Sequence, residues 1–291
     1  MALVDRLREA GLSVLEACLG VGISKSGYYS ARKSASTQAG SAQRPTPKSA
    51  QDAKIVARIQ ELRLEHPFWG YRRMWAWLRF RDHIFLNKKR VYRLMKQHDL
   101  LLKSRPKRAC RTPKSKPKPD RPNQYWGIDM TKFMMPKLGW VYLVVVLDWY
   151  SRKIVGFEMS LRCRRQEWEA AMDSALVCEF PDGVRGCGLR LVSDNGSQPT
   201  STGFMDTMRL LDIEQVFTSY NNPKGNAETE RVIRTIKEEL LWLEEFDTLL
   251  EAEQNIREWI ERDYNQLYPH SSLGYRSPEE FLTHLKVQAA A

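Results

Sequence analysis

Three acidic side chains in the second half of the chain, Asp129, Asp194 and Glu230, are the residues whose types and spacing point to chemistry. Asp129 lies inside a predicted strand, Asp194 directly follows a short hydrophobic strand, and Glu230 falls near the start of a predicted helix. The two gaps between them hold 64 and 35 residues. Taken singly, each acid fits a turn or a surface position, and Asp-Asn-Gly favours turns for local reasons. Together, three carboxylates on converging elements predict a hard-cation site, because Mg²⁺ prefers oxygen ligands.

Two further acids compete for a place in this site. Glu228 lies two positions before Glu230, and residues so spaced point to roughly opposite sides of a helix. Only one of the pair can face a shared metal, and the spacing favours Glu230. Asp148 precedes a predicted turn at residues 148–152, which favours a structural role in a hairpin.

Polar residues near the acids have two interpretations each. Arg234 and Lys237 lie four and seven residues after Glu230, on the same helix face. Opposite charges at a spacing of four commonly form a surface ion pair worth about 0.2–0.5 kcal/mol, whereas beside a metal the same face would meet a nucleic acid. Asn195 and Asn226 are predicted either to order the loops beside the acids or to act as turn and cap residues.

The charge of the 291-residue chain, formally +11, is divided unevenly. Residues 1–120 hold 27 Lys and Arg against 9 acids, and residues 121–291 hold 19 against 26. A basic half joined to an acidic half predicts a nucleic-acid-binding module attached to a unit with carboxylate chemistry, because each phosphate neutralised by a basic side chain releases counterions. The alternative is a basic surface that serves solubility.

The composition also excludes several classes of protein. With 42% hydrophobic and 28% charged residues, the chain is globular rather than disordered. Its longest apolar run, Trp140 to Leu147, is shorter than the roughly 20 residues of a membrane helix, and no secretory leader is recognisable. The five cysteines show no C-x-x-C spacing and the histidines no zinc-ligand spacing. A soluble cytoplasmic protein with free thiols and no zinc is therefore expected, and His270 is expected to be structural.

Composition and periodicity divide the chain into six predicted parts. They are a partial helix-turn-helix-like segment at 1–33, a linker at 34–49, a helical DNA-binding module at 50–102, a basic proline-rich linker at 103–122, a core at 123–245 and a C-terminal helical extension at 246–291. Within the core, strands come first and then alternate with helices, which predicts a mixed α/β layer fold.

The basic residues of the module and the linker are the predicted DNA contacts. Lys89, Arg93 and Lys96 share one face of a predicted helix at 88–99. Most charged helix faces are simply solvated, but the basic linker that follows favours DNA for this one. The linker cannot build a core and is expected to run extended along phosphates. Its basic candidates are Lys103, Arg105, Lys107, Arg108, Arg111, Lys114, Lys116 and Lys118.

The order of these motifs resembles the integrase core of retroviral integrases and bacterial insertion-sequence transposases. The matching stretches are Trp126-Gly127-Ile128-Asp129, Val144 to Arg152, Ser193-Asp194-Asn195-Gly196-Ser197-Gln198 and Pro223 to Glu230. The closing stretch Tyr264 to Phe281 resembles the tail of transposases encoded by the second reading frame of two-frame insertion sequences, and His66 to Arg73 resembles the helical module before their core. The resemblance covers about residues 50–283.

This resemblance implies an RNase H-like core, preceded by small all-α modules, in an enzyme of DNA transposition. Asp129, Asp194 and Glu230 match the catalytic positions, which implies that they hold two Mg²⁺ ions, replaceable by Mn²⁺. The implied reactions are cleavage at insertion-sequence ends and strand transfer by the freed 3′-hydroxyl. Lys237 matches a position where family members often carry a lysine, which implies contact with the DNA end.

The resemblance also implies partners and leaves alternatives. The implied partners are double-stranded DNA at the transposon ends and the target, further copies of the chain, and the upstream-frame product of the same element, all at the bacterial nucleoid. The zinc-binding module of retroviral integrases and the upstream helix-turn-helix and coiled-coil frame are both missing from this sequence. The alternatives are a nuclease of the same fold that only hydrolyses and a catalytically idle DNA-binding regulator, although three intact acids argue against the regulator.

Overall fold

The computed structural model describes residues 2–29, 47–102, 118–218 and 225–290. These residues form two compact units, residues 1–55 and 56–291, divided within the helix Pro47–Glu65. In the first unit, helices α1 (Ala2–Glu9) and α2 (Val14–Gly20) enclose a small core of Val4, Ala17, Cys18 and Tyr28. Ser13 caps α2, since the Ser13 hydroxyl accepts a hydrogen bond from the Glu16 amide at 3.3 Å.

The second unit begins with a helical module made of α3, α4 and α5. Their bounds are Pro47–Glu65, Tyr71–Phe80 and Lys88–Gln97. Helix α3 starts at Pro47, so the end of the predicted linker at 34–49 is helical, and residues 30–46 lie outside the described residues. Asn87 caps α5, and its side chain accepts a hydrogen bond from the Lys89 amide at 2.9 Å. The module buries Ile59, Leu62, Met74, Leu78 and Met95.

The core is a five-stranded sheet in the order β3-β2-β1-β4-β5. The strands are β1 (Tyr125–Met135), β2 (Gly139–Asp148), β3 (Ile154–Ser160), β4 (Arg190–Ser193) and β5 (Glu214–Phe217). The first three form the predicted antiparallel meander, whereas β4 and β5 add in parallel beside β1. The meander and the parallel pair confirm the predicted mixed sheet.

Helices cover this sheet and extend the chain beyond it. They are α6 (Arg165–Glu179), α7 (Thr202–Leu210), α8 (Ala227–Ile236), α9 (Leu249–Glu258) and α10 (Pro278–Ala290). The sequence predicts uninterrupted helices at 227–242 and 249–266, but both change to π-helical spacing, at Lys237–Leu241 and Trp259–Leu267. The main hydrophobic cluster lies between the sheet and helices α6 and α7 and includes Trp126, Val146, Trp168, Leu191 and Phe204.

Two expectations about the chain's class can be compared with the described residues. None of their helices combines the length and the hydropathy needed to span a bilayer. Four of the five cysteines, namely Cys18, Cys163, Cys178 and Cys187, are free thiols, as expected. Cys110 lies outside the described residues.

Candidate active site at the sheet edge

The parallel pairing of β1 with β4 brings Asp129 and Asp194 to the same edge of the sheet. Gly127 pairs with Val192, an offset of 65 residues, and the same offset relates Asp129 to Asp194. Both acids therefore lie two residues beyond the last pair of this ladder. The Asp129 carboxylate accepts a hydrogen bond from the Met130 amide at 2.8 Å, and the exposed Asp194 carboxylate accepts one from the Gly196 amide at 3.0 Å.

Helix α8 brings Glu230 to these acids because it packs unusually close to β1. A Cβ atom on Gly127 would lie 2.0 Å from the Thr229 hydroxyl oxygen and 2.3 Å from the Trp149 indole nitrogen, so a side chain at this position is excluded. The indole donates a hydrogen bond to the Thr229 hydroxyl at 3.1 Å. At the start of the helix, the Asn226 amide donates to the Ile128 carbonyl at 3.3 Å. These contacts hold the first turn of α8 against strand β1 at Ile128, the residue that precedes Asp129.

The electrostatics of the site show that the predicted residues act on one another. The pKa of Asp129 is raised to about 6 from an ordinary 3.8, mainly by burial and also by the charges of Asp194 and Glu230, while the Met130 amide and Lys237 act to lower it. Burial also raises the pKa of Glu230. The structure thus brings the three predicted carboxylates and Lys237 within electrostatic range. Among the described residues, the Asp129 carboxylate accepts a hydrogen bond only from the neighbouring Met130 amide, which leaves most of its negative charge uncompensated.

The carboxylates do not yet enclose a common point. Within the described ranges, no three His, Cys, Asp or Glu side chains are arranged to hold a metal ion. The donor set nevertheless consists only of carboxylate oxygens, which suits a hard divalent cation such as Mg²⁺. Mutual repulsion of like charges keeps such groups apart, and a cation between them removes that repulsion.

The two competing acids are engaged elsewhere. Glu228 forms an ion pair with Arg152 on the other side of α8, as the helical period predicts. Asp148 is buried at the β2–β3 hairpin, where it accepts hydrogen bonds from the Ser151 amide at 2.9 Å, the Ser151 hydroxyl and the Asn123 amide. Asp148 therefore has the structural hairpin role that the sequence favours.

The remaining predicted residues have different surroundings. Arg234 pairs with Glu238 at 2.8 Å within its own helix, and the Asn195 amide donates to the Thr218 carbonyl. The basic residues Lys89, Arg93, Lys96 and Lys118 are exposed. The remaining linker candidates lie outside the described residues: Lys103, Arg105, Lys107, Arg108, Arg111, Lys114 and Lys116.

Sequence reasoning missed the residues that hold α8 in place. Thr229 and Trp149 are 80 positions apart, and neither has a local pattern that indicates their hydrogen bond. Gly127 carries the one available signal, since a glycine inside a strand indicates close approach of another backbone or side chain.

Comparison with known proteins identifies both parts of this architecture. The family described as "Integrase core domain" matches residues 119–223, a second family of that description matches residues 211–278, and "HTH-like domain" matches residues 50–108. The transposase for insertion sequence element IS904 of Lactococcus lactis subsp. lactis (strain IL1403) is 38% identical over 160 residues, which cover 55% of this chain and 61% of that protein.

Two further comparisons concern one sequence relative and one solved structure. The insertion element IS2A uncharacterized 48.2 kDa protein of Escherichia coli is 30% identical over 240 residues, covering 80% of this chain and 56% of that protein. The chain thus spans less than two thirds of either relative. A chain of the simian T-cell lymphotropic virus intasome in complex with PP2A regulatory subunit B56 gamma aligns with a TM-score of 0.48 at 14% identity, over 78% of this chain and 73% of that one. That likeness is weak, and the assignment rests on the sequence matches.

Residues 119–278 thus match integrase core families and follow a match to an HTH-like domain at residues 50–108. The chain is similar to transposases of insertion sequences, such as that of IS904. The matched families agree with the predicted family, and the five-stranded mixed sheet that follows a helical module agrees with the predicted α/β fold class.

Proposed function

We propose that this chain cleaves DNA at insertion-sequence ends and joins the freed 3′-hydroxyl to target DNA. The observation that carries the proposal is the convergence of Asp129, Asp194 and Glu230 at one sheet edge, where burial and the two neighbouring carboxylates raise the pKa of Asp129. A carboxylate that is costly to ionise in the free protein is typical of a site that receives a cation. The matches to integrase core families support this interpretation.

In this proposal the three acids hold two Mg²⁺ ions, which Mn²⁺ can replace, and no zinc takes part. When bound, such ions stabilise the attacking and leaving oxygens of an in-line phosphoryl transfer. The chain's own contribution is to fix Asp129 and Asp194 on adjacent strands and Glu230 on a helix tied to β1 by Asn226. Asn195 orders the Asp194 loop by donating a hydrogen bond to Thr218.

The proposed DNA contacts surround this edge. Lys237 is close enough to lower the pKa of Asp129, so its ammonium group can reach a phosphate held beside the acids. Arg234 is half exposed and can exchange its pairing with Glu238 for a phosphate. The exposed Lys89, Arg93 and Lys96 of the HTH-like module, with the basic linker at 103–122, are proposed to grip the duplex backbone.

We further propose that the active form is an oligomer assembled on two transposon ends and target DNA at the bacterial nucleoid, with the upstream-frame product as an additional partner. The domain division at 1–33, 34–49, 50–102, 103–122, 123–245 and 246–291 belongs to the same proposal.

The test is strand transfer by the full chain, alone and with the upstream-frame product. The substrate is a duplex that carries the terminal sequence of the encoding element and ends in a free 3′-hydroxyl. Joined products are expected with Mg²⁺ or Mn²⁺, and Asp194→Asn or Glu230→Gln should reduce the joining rate at least about 10³-fold, because charge stabilisation supplies most of the rate in phosphoryl transfer. Asp206→Asn, at an exposed acid of α7 paired with Arg209, is the matched control.

The outcomes separate the alternatives. Cleavage without joining, lost in both variants, would identify a nuclease that only hydrolyses. DNA binding without cleavage or joining, both for the chain alone and with the upstream-frame product, would identify a catalytically idle regulator. Equal joining by wild type and both variants would remove the acids from the mechanism.

A further inference from the structure

A second charged region lies on the other side of α8 from Glu230. It is a cavity of about 450 Å³ enclosed by four segments: the start of α4, the β2–β3 turn, α8 and the stretch Tyr264–Tyr275. We call it the arginine cavity, because Arg73, Arg152 and Arg231 line it from three of these segments.

The positive charge in this cavity is only partly compensated. Glu228 pairs with Arg152. Arg73 lies over the Tyr268 ring at 4.8 Å, but neither Arg73 nor Arg231 has an ion pair with a described carboxylate. Arg72 also lines the cavity, so four guanidinium groups against one carboxylate leave a surplus of positive charge. Guanidinium groups stay ionised in proteins, so this surplus cannot be removed by proton loss.

Several buried polar atoms of the residues that line the cavity lack hydrogen-bond partners among the described residues, and two of them belong to neighbouring rings. The Tyr264 side chain is completely buried, and its hydroxyl has no hydrogen-bond partner among the described residues. The same is true of the buried Nε2 atom of His270, whose ring lies edge-on to Tyr264 at 5.1 Å. An unsatisfied buried polar group costs about 1–3 kcal/mol, so two of them side by side indicate an absent partner.

The backbone of the β2–β3 turn is strained at a residue whose side chain lines the cavity. Arg152 has φ of 65°, in the left-handed region that residues with a side chain rarely adopt. The buried Asp148 holds this turn through the Ser151 amide at 2.9 Å. The turn thereby delivers the Arg152 guanidinium to the cavity wall, and retained strain of this kind is typical of functional positions.

We propose that the arginine cavity binds a phosphate group, with Arg73, Arg152 and Arg231 around its oxygens and Tyr264 and His270 as hydrogen-bond donors. A phosphate dianion complements this surplus of positive charge, and the planar guanidinium fork matches phosphate geometry. The cavity is larger than one oxyanion, so it has room for an attached sugar. Only the source of the phosphate rests on the proposed function, under which a DNA strand supplies it.

The test is isothermal titration of the full chain with inorganic phosphate, in EDTA and at fixed ionic strength. Saturable binding is expected. Arg73→Gln and Tyr264→Phe should each weaken it about tenfold or more, since hydrogen bonds to charged groups are worth about 1.5–3 kcal/mol. The matched controls are Arg79→Gln, on the same helix but outside the cavity, and Tyr142→Phe, on strand β2. Both should bind phosphate like wild type.

Tyr264→Phe keeps the test valid if Arg73→Gln fails to fold. Without phosphate, this variant should unfold at the same temperature as wild type or higher, because it removes an unpaired buried hydroxyl. No saturable phosphate binding by the wild type, or equal binding by wild type and Tyr264→Phe, would overturn the proposed site.

A second titration identifies the source. Phosphate binding is measured with and without a saturating thymidine oligonucleotide, and DNA as the source predicts a weaker apparent phosphate affinity in its presence. Unchanged affinity would overturn the DNA source. The phosphate titration contains no divalent cation, whereas strand transfer requires one. A negative titration therefore does not contradict the proposed strand transfer, and a negative strand-transfer assay does not contradict the proposed phosphate site.

Discussion

Helix α8 separates two regions of opposite charge that the chain itself leaves uncompensated. On one side, Asp129, Asp194 and Glu230 form an open acidic edge. On the other side, Arg73, Arg152 and Arg231 line an enclosed cavity with one opposing carboxylate. The adjacent residues Glu230 and Arg231 point about 100° apart around the helix, and both line a pocket with Arg73, so the two regions adjoin there. Under the two proposals, uncompensated charge marks each ligand site, and its sign is opposite to the charge of the ligand.

Asp148, an acid of the same sheet that accepts several hydrogen bonds, contrasts with Asp129. Asp148 and Asp129 are both largely buried, and burial raises the pKa of each. Asp148 accepts several hydrogen bonds from Ser151, Tyr150 and Asn123, all of which lower its pKa. Asp129 has one such bond, from Met130, and two repelling carboxylates. Burial alone therefore does not identify the functional acid, whereas the number of its donors does.

Gly127→Ala should have the largest effect, because both regions depend on the close packing of α8 on β1. The new Cβ would lie 2.0 Å from the Thr229 hydroxyl oxygen, which forces the helix away from the strand. Overpacking of this kind typically costs about 1–3 kcal/mol, and we expect the upper end in urea unfolding. Phosphate binding and strand transfer should both fall.

The control for this substitution is Gly20→Ala, where a Cβ meets nothing within 4 Å. If Gly127→Ala impaired only one of the two activities, the two regions would not share α8 as their common support.

His270 should make the cavity side less stable in acid. Burial, followed by the charges of Arg73, Arg152 and Arg231, lowers the pKa of His270 to about 3 from an ordinary 6.5. Between these values the unfolded chain binds a proton that the folded chain does not, so stability falls as pH falls below 6.5. At pH 5 the loss relative to pH 8 is about 2 kcal/mol.

Urea unfolding at both pH values measures this loss. The loss should be absent in His270→Gln and present in His98→Gln, a change at an exposed histidine. The same pH dependence in wild type and His270→Gln would show that the imidazole is not enclosed by the guanidinium groups.

Asp129 should give a smaller change of the opposite sign. Its folded-state pKa of about 6 lies above the ordinary 3.8, so the folded chain binds a proton first as pH falls. Stability on this side therefore rises from pH 8 to pH 5, by about 1.4 kcal/mol. In EDTA, wild type should show this gain relative to Asp129→Asn, whose amide does not titrate, and added Mg²⁺ at pH 8 should stabilise the wild type more than the variant. An equal response to Mg²⁺ would contradict the role of Asp129.

The sequence predicts the acidic edge well because each acid sits in a local pattern. Asp194 ends a hydrophobic strand. The helical period predicts that Glu230, rather than Glu228, faces the other two acids, and the ion pair of Glu228 with Arg152 agrees with this prediction. The arginine cavity has no such pattern. Arg73, Arg152 and Arg231 come from a helix start, a strained turn and a helix interior, and only tertiary packing brings them together. The π-helical turns after α8 and α9 likewise arise from packing that local propensity does not encode.

The packing of α8 has a mechanical consequence. Glu230 and Arg231 are consecutive residues of this helix, so any displacement of α8 moves both of them. Under the two proposals, a cation that drew α8 toward β1 would therefore also shift Arg231 within its cavity. Binding at one region would then change the affinity of the other, and thermodynamic reciprocity requires the same factor in both directions.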